Sequence, residues 1–101
     1  MDRNILARIE ALRRQILVHS CLYYLFDSPI ISDKEYDNRA RELDRLQREY
    51  PEESKQGVFA EAFADFSESV SGFNLPIRDD WVVGTAIYLS RLHEQFKKGG
   101  D

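Results

Sequence analysis

The chain has one cysteine, two histidines, three prolines and five glycines in 101 residues, and each shortage removes a class of protein. A lone Cys21 excludes an internal disulfide and a cysteine-based metal cluster. Its neighbours Leu22 and Tyr23 make it a buried small hydrophobe, and buried thiols are inert. His19 and His93 lie far apart with no third ligand at metal spacing, so each reads as an ordinary surface or core histidine. The apolar runs are far too short to cross a bilayer. Met1 is followed by a charged amphipathic segment and not by the apolar stretch of a secretory signal. The expected location is therefore the cytoplasm, with no membrane partner. Excess positive charge is missing too: there are 14 basic and 18 acidic residues, a net of −4. Residues 1–50 balance at nine of each sign, whereas residues 51–101 hold five basic and nine acidic groups. Autonomous nucleic-acid binding draws on a positive footprint that captures phosphates, and this chain has none overall.

What the chain does contain is helical patterning. With 43% hydrophobic and 32% charged residues, it has the composition of a soluble protein and the length of one small domain, 1–101. Ile5, Ile9, Leu12 and Ile16 recur at three- and four-residue steps, with Arg8, Arg13 and Arg14 on other faces, so the spacing predicts an amphipathic helix from Arg3 to about Phe26. Asp27, Ser28 and Pro29 supply a turn. Ser32 and Glu35 then have the S-x-x-E spacing of a capping box, which starts a second helix at Asp33. Tyr36, Ala40, Leu43, Leu46 and Tyr50 form its apolar stripe, with Arg39, Arg41, Glu42, Asp44, Arg45 and Arg48 on the remaining faces, and Pro51 ends it. Residues 3–50 are thus an antiparallel helical hairpin. Residues 57–98 form an acidic and aromatic helical half. Within it, Phe59, Phe63, Phe66 and Val70 predict a third helix that aligns Glu61, Asp65 and Glu68 along one face. After a loop at 71–76, Asp79 or Asp80 caps a fourth helix with an apolar surface of Trp81, Val82, Ile87, Leu89, Leu92 and Phe96. Lys97 and Lys98 sit at its C-terminal end, where the helix dipole favours cations. Gly99 and Gly100 read as a frayed tail. The fold class is all-α, with about four helices and no strand pattern.

The densest chemistry lies in residues 22–37, LYYLFDSPIISDKEYD. Asp33 and Asp37 are one helical turn apart, Tyr36 is beside them, and Tyr23 and Tyr24 precede the turn. Folding the hairpin gathers all five. A flat cationic ring gains by stacking on tyrosine faces and by lying near carboxylates, each contact contributing on the order of 1 kcal/mol when partly desolvated. Paired carboxylates at i, i+4 are common on helices, and no activated nucleophile, metal set or phosphate loop accompanies these, so the residues point to binding and not to an enzyme.

The same stretch resembles the N-terminal "Ia" domain of the bacterial NAD-dependent DNA ligases, whose helical hairpin has the core Y-[YH]-x-x-D-x-P-x-I-[SP]-D-x-E-Y-D. The match falls on Tyr23, Tyr24, Asp27, Pro29, Ile31, Asp33, Glu35, Tyr36 and Asp37, and the likeness extends over roughly residues 12–53. The resemblance implies that Tyr23, Tyr24, Asp33, Tyr36 and Asp37 hold the nicotinamide mononucleotide (NMN) half of NAD as ligand, with no metal. It stops short of the family's K-x-D-G adenylation motif, and no nucleotidyltransferase, OB-fold, zinc-finger or helix-hairpin-helix region follows. A non-catalytic binding module or a detached ligase-like piece is the first expectation.

Two other accounts stand beside it. The hairpin residues have structural uses: Tyr23 and Tyr36 as packing groups, Asp33 as a first-turn carboxylate, Asp37 as a partner for Arg41. Short stand-alone chains resembling this domain occur in bacteriophage genomes. That implies a second function, an acidic interaction protein that inhibits a host nucleic-acid-binding or defence (CRISPR-type) complex. Glu61, Asp65, Glu68, Asp79 and Asp80 would then carry the docking charge.

Overall fold

The computed structural model describes residues 1–67 and 72–99, and side chains through Phe96. It is all-helical. Helix α1 spans Arg3–Tyr24, α2 Asp33–Glu49, the short α3 Pro51–Ser54 and α4 Asp80–Gly99, with a 3₁₀ turn at Gly72–Asn74. Asp2 caps α1 by accepting from the amides of Asn4 and Ile5 at 2.9 and 3.2 Å. Ser32 Oγ caps α2 by accepting from the Glu35 amide at 3.1 Å, as the S-x-x-E spacing requires. Asp79 is the cap of α4, its Oδ1 accepting from Trp81 and Val82.

The apolar stripes of α1 and α2 meet as an antiparallel hairpin. Ile9, Leu12, Ile16, Leu17, Ala40, Leu43 and Leu46 are buried in one cluster with Phe63, Leu75, Ile77, Val82 and Ala86. Burying a leucine in such a cluster contributes about 1.5–3 kcal/mol. The hairpin register is marked on the surface by Arg8 of α1, which donates through Nε and Nη2 to the two carboxylate oxygens of Glu42 on α2 at 2.7 and 2.8 Å. That bidentate pair holds the Glu42 carboxyl below the usual range.

Several sequence expectations are corrected. Helix α1 stops at Tyr24, two residues early, while α4 runs through Gly99, which the sequence reads as tail. Residues 58–65 form successive turns and not a helix, and the third helix is Pro51–Ser54 instead. The cause is local. Gly57 and Phe59 have φ of 83° and 59°, in the left-handed region where a helix cannot continue and an aromatic residue rarely sits. The hairpin also takes carbonyls before and within this stretch. Arg13 donates to Ser54, Gln56 and Val58 carbonyls at 2.5, 2.8 and 3.1 Å, and its Nε to Gln47 Oε1 at 3.0 Å. Gln47 Nε2 in turn donates to the Phe63 carbonyl at 2.9 Å.

Arg13 is therefore not a face-lining charge but a fully buried one, and Asp44 of α2 is buried as well. Without a helix at 58–65, the expected alignment of Glu61 with Asp65 on one helical face does not exist. Glu68 and Val70 lie outside the described residues, as do Gly100 and the side chains of Lys97 and Lys98. On α4, Val82 and Ala86 are buried, while Trp81, Ile87 and Phe96 are exposed, so its apolar surface is only partly covered.

Candidate functional site

The two hairpin helices do not close completely where they join. Leu25 completes the last bond of α1 to the Cys21 carbonyl, and Asp27 reverses the chain with φ 48°, a conformation that a short polar side chain tolerates. The Ser28 amide bonds back to the Leu22 carbonyl at 2.9 Å. This turn holds residues 29–32 away from the helix ends and leaves a cavity of about 310 Å³. Its walls come from His19, Tyr23 and Tyr24 of α1, Pro29, Ile30, Ile31 and Ser32 of the turn, and Asp33, Tyr36 and Asp37 of α2.

All five residues singled out in the sequence thus line one cavity. Tyr23 and Tyr24 are 52% and 41% exposed, with rings 4.8 Å apart in a T-shaped pair. Tyr23 is thus only partly covered by the hairpin, and its open face is turned to solvent. Tyr36 fits both the packing and the binding account. Its hydroxyl shares a 2.8 Å hydrogen bond with Ser20 Oγ, burial raises its pKa, and its ring faces the cavity wall. Asp33 and Asp37 are exposed at the rim. Asp33 also lies in the first turn of α2, where the helix dipole favours a carboxylate.

His19 also lines the cavity, although its sequence context marks it as an ordinary histidine. His19 is half-buried, and its Nδ1 is enclosed without a hydrogen-bond partner among the described residues. Burial, helped by the positive charge of Arg39, pushes its pKa down to about 4, so it is neutral at physiological pH and adds no positive charge to the cavity. A lone histidine carries no sequence signal. Only its i, i+4 relation to Tyr23 places it on the site face of α1.

The shift has a stability consequence. The unfolded histidine protonates near 6.5 and the folded one only near 4, so as pH falls through that window the unfolded state takes up the proton first. The stabilisation is present above the unfolded value and is lost towards the folded one, on the order of 2–3 kcal/mol in all once solvent screening at this half-buried position is discounted. Denaturation measured from pH 7 to pH 4 should show His19→Gln with a shallower loss than the wild type; parallel curves would mean that His19 does not titrate low.

Chemically, the cavity offers aromatic faces, two carboxylates and a neutral imidazole, with no group of three or more metal-ligating side chains among the described residues. No described helix is long and apolar enough to cross a membrane. The acidic residues Glu61, Asp65, Asp79 and Asp80 are exposed elsewhere on the molecule, Asp79 being committed to capping α4.

Known proteins agree with the hairpin. A DNA ligase of Syntrophobacter fumaroxidans is 58% identical over 45 residues, covering 45% of this chain and 7% of the ligase. One from Alkalilimnicola ehrlichii is 54% identical over 46 residues, with 46% and 7% covered. One from Brachyspira hyodysenteriae is 40% identical over 76 residues, with 67% and 12% covered. The chain thus matches at most about an eighth of the length of these ligases. No solved structure matches. The family described as "DNA ligase-like, N-terminal NAD+-binding domain" matches residues 2–56, a stretch that holds α1, α2, α3 and every residue lining the cavity. By that match over more than half its length, the chain belongs to the family of DNA ligase-like, N-terminal NAD+-binding domains.

Proposed function

We propose that this chain binds the nicotinamide mononucleotide half of NAD in the hairpin cavity, as a non-catalytic module acting alone or beside a catalytic subunit. The observation that carries this reading is the common lining of one cavity by Tyr23, Tyr24, Asp33, Tyr36 and Asp37. Its volume of about 310 Å³ is at the lower end of the range for small-molecule sites. The nicotinamide ring of oxidised NAD is flat and positively charged. Tyr23 and Tyr24 offer it polarisable faces, Asp33 and Asp37 offset its charge, and neutral His19 leaves that balance intact. Binding of this kind orients the ligand and asks no bond to break. The 101 residues carry no K-x-D-G lysine, so adenylation would fall to another polypeptide segment. The ligand would come from the cytoplasmic NAD pool.

Titration calorimetry with millimolar NMN and NAD tests this directly. Saturable heat, with NMR shifts at Tyr23, Tyr36 and Asp37, is the expected result. No heat and unmoved resonances would overturn the reading.

A second reading is supported by a different observation. Glu61, Asp65 and Asp80 are exposed, and Trp81, 47% exposed, lies with its ring 6.5 Å from that of Phe59. An exposed aromatic pair, which shares its groove with Arg14 and Val58, together with these exposed acids suits docking on a basic macromolecular groove, as in an inhibitor of a host nucleic-acid-binding complex. Reversing Glu61, Asp65 and Asp80 to lysine should then abolish capture of such a partner, and an affinity indifferent to all three and to salt would exclude docking by charge.

A further inference from the structure

The aromatic wall of the cavity continues past Tyr24. Phe73, in the 3₁₀ turn Gly72–Asn74, lies edge-on to Tyr24 with ring centroids 5.7 Å apart. The Arg78 guanidinium stands over the Phe73 ring, 5.9 Å from its centroid. This arrangement adjoins the cavity through Tyr24 and Tyr36, which line it, while Phe73 and Arg78 stand just outside that lining. Gly72 packs so closely behind it that a Cβ there would collide with Ser20 Oγ and lie 2.7 Å from Tyr36 Oη, the two atoms of the hydrogen bond under the cavity wall. Leu75 and Ile77 are buried on either side of Pro76, which anchors the segment that carries Arg78. None of residues 72–78 belongs to the family-matched stretch 2–56.

A nicotinamide mononucleotide has a positive ring at one end and a phosphate at the other. Asp33 and Asp37 suit the ring and would repel the phosphate, so the site needs a cation displaced from them. Arg78 makes no ion pair among the described residues, and its planar fork of donors matches phosphate oxygens in a bidentate way. Arg39, whose charge acts on His19, is another cation near the cavity, but it is half-buried on α2, the helix that also carries the two aspartates.

We propose that Arg78, presented by Phe73 beside Tyr24, is the phosphate-recognising arm of the hairpin cavity. The proposal rests on the nucleotide-binding reading above. It gives the second half of the chain a part in the site: the family hairpin holds the ring, and the segment beyond it holds the phosphate.

The test is calorimetry of the full chain with two ligands that differ only in the phosphate, nicotinamide mononucleotide and nicotinamide riboside. In the wild type the mononucleotide should bind more tightly. Arg78→Gln, an exposed substitution whose folding is checked by its melting curve, should weaken the mononucleotide roughly five- to tenfold and change the riboside by less than about twofold. The mononucleotide's salt dependence should flatten in parallel, and Arg39→Gln should keep the wild-type ratio between the two ligands. A ratio unchanged in Arg78→Gln, or one that collapses in Arg39→Gln instead, overturns the proposal while leaving the nucleotide site standing. Failure of both ligands to bind the wild type would remove the nucleotide site as well.

Discussion

Replacing Arg13 with leucine should destabilise the protein by about 3–5 kcal/mol, the range seen when a buried charged partner is removed and the groups around it are left unsatisfied. The guanidinium is 0% exposed and serves Gln47 together with three backbone carbonyls, those of Ser54, Gln56 and Val58. Each abandoned buried acceptor costs about 1–3 kcal/mol. Water can reach some of the part-buried carbonyls, so the losses do not simply add. A domain of this size has only about 5–15 kcal/mol in hand, and the variant would spend a large part of it. Arg13→Lys should recover less than half, because a single ammonium cannot serve four acceptors spread over the reach of a guanidinium fork. Urea denaturation reads both variants. A loss below about 1 kcal/mol in Arg13→Leu would mean that residues 54–58 are held by packing and not by this side chain.

The second large effect concerns the cavity. The double substitution Asp33→Asn, Asp37→Asn keeps both shapes and removes both charges. If the cationic ring lies against them, each charge at such a partly solvated position contributes about 1 kcal/mol, so affinity for NMN should fall roughly 30-fold. Both aspartates are exposed, and the fold should lose no more than the dipole interaction of Asp33, about 0.3–1 kcal/mol. The reduced mononucleotide, whose ring carries no charge, is the internal control: its affinity should hardly respond. Equal losses for oxidised and reduced ligands would mean that the aspartates act through hydrogen bonds and not through ring charge. An unchanged affinity for both would take them out of the site.

Much of the hairpin was legible in the sequence because its signals are local. A three- and four-residue apolar period and an S-x-x-E cap depend on neighbours a turn away, and both survive in α1 and α2. The five lining residues were legible for the same reason, since the turn between two capped helices brings Tyr23 and Tyr24 near Asp33 and Asp37 with little freedom. Arg13 was not. Its spacing put it on a charged face, and only the later segment at 54–58, which brings carbonyls to meet it, makes burial affordable. Residues 58–65 mislead in the same way: the phenylalanine period is helical, but Phe59 takes a left-handed backbone, and Arg13 and Gln47 claim the Val58 and Phe63 carbonyls. His19 gave no pattern to find, and Gly72 is needed for a contact with Ser20 and Tyr36 that lies more than thirty residues away along the chain.

The contacts among the described helices have an uneven layout: α4 meets α1 and not α2, its other neighbours being the irregular segments that carry Phe59, Phe63, Leu75 and Ile77. Detaching α4 would uncover Val82 and Ala86 while leaving the pairing of α1 with α2 intact. Amide hydrogens in α4 should therefore exchange with solvent through a partial opening that needs less free energy than unfolding the whole chain. A nucleotide seated between α1 and α2 slows exchange in the hairpin by mass action and reaches α4 only through the Arg78 segment that precedes it. One chain with a common central helix can thus keep two stabilities, with ligand occupancy setting one directly and the other only through that segment.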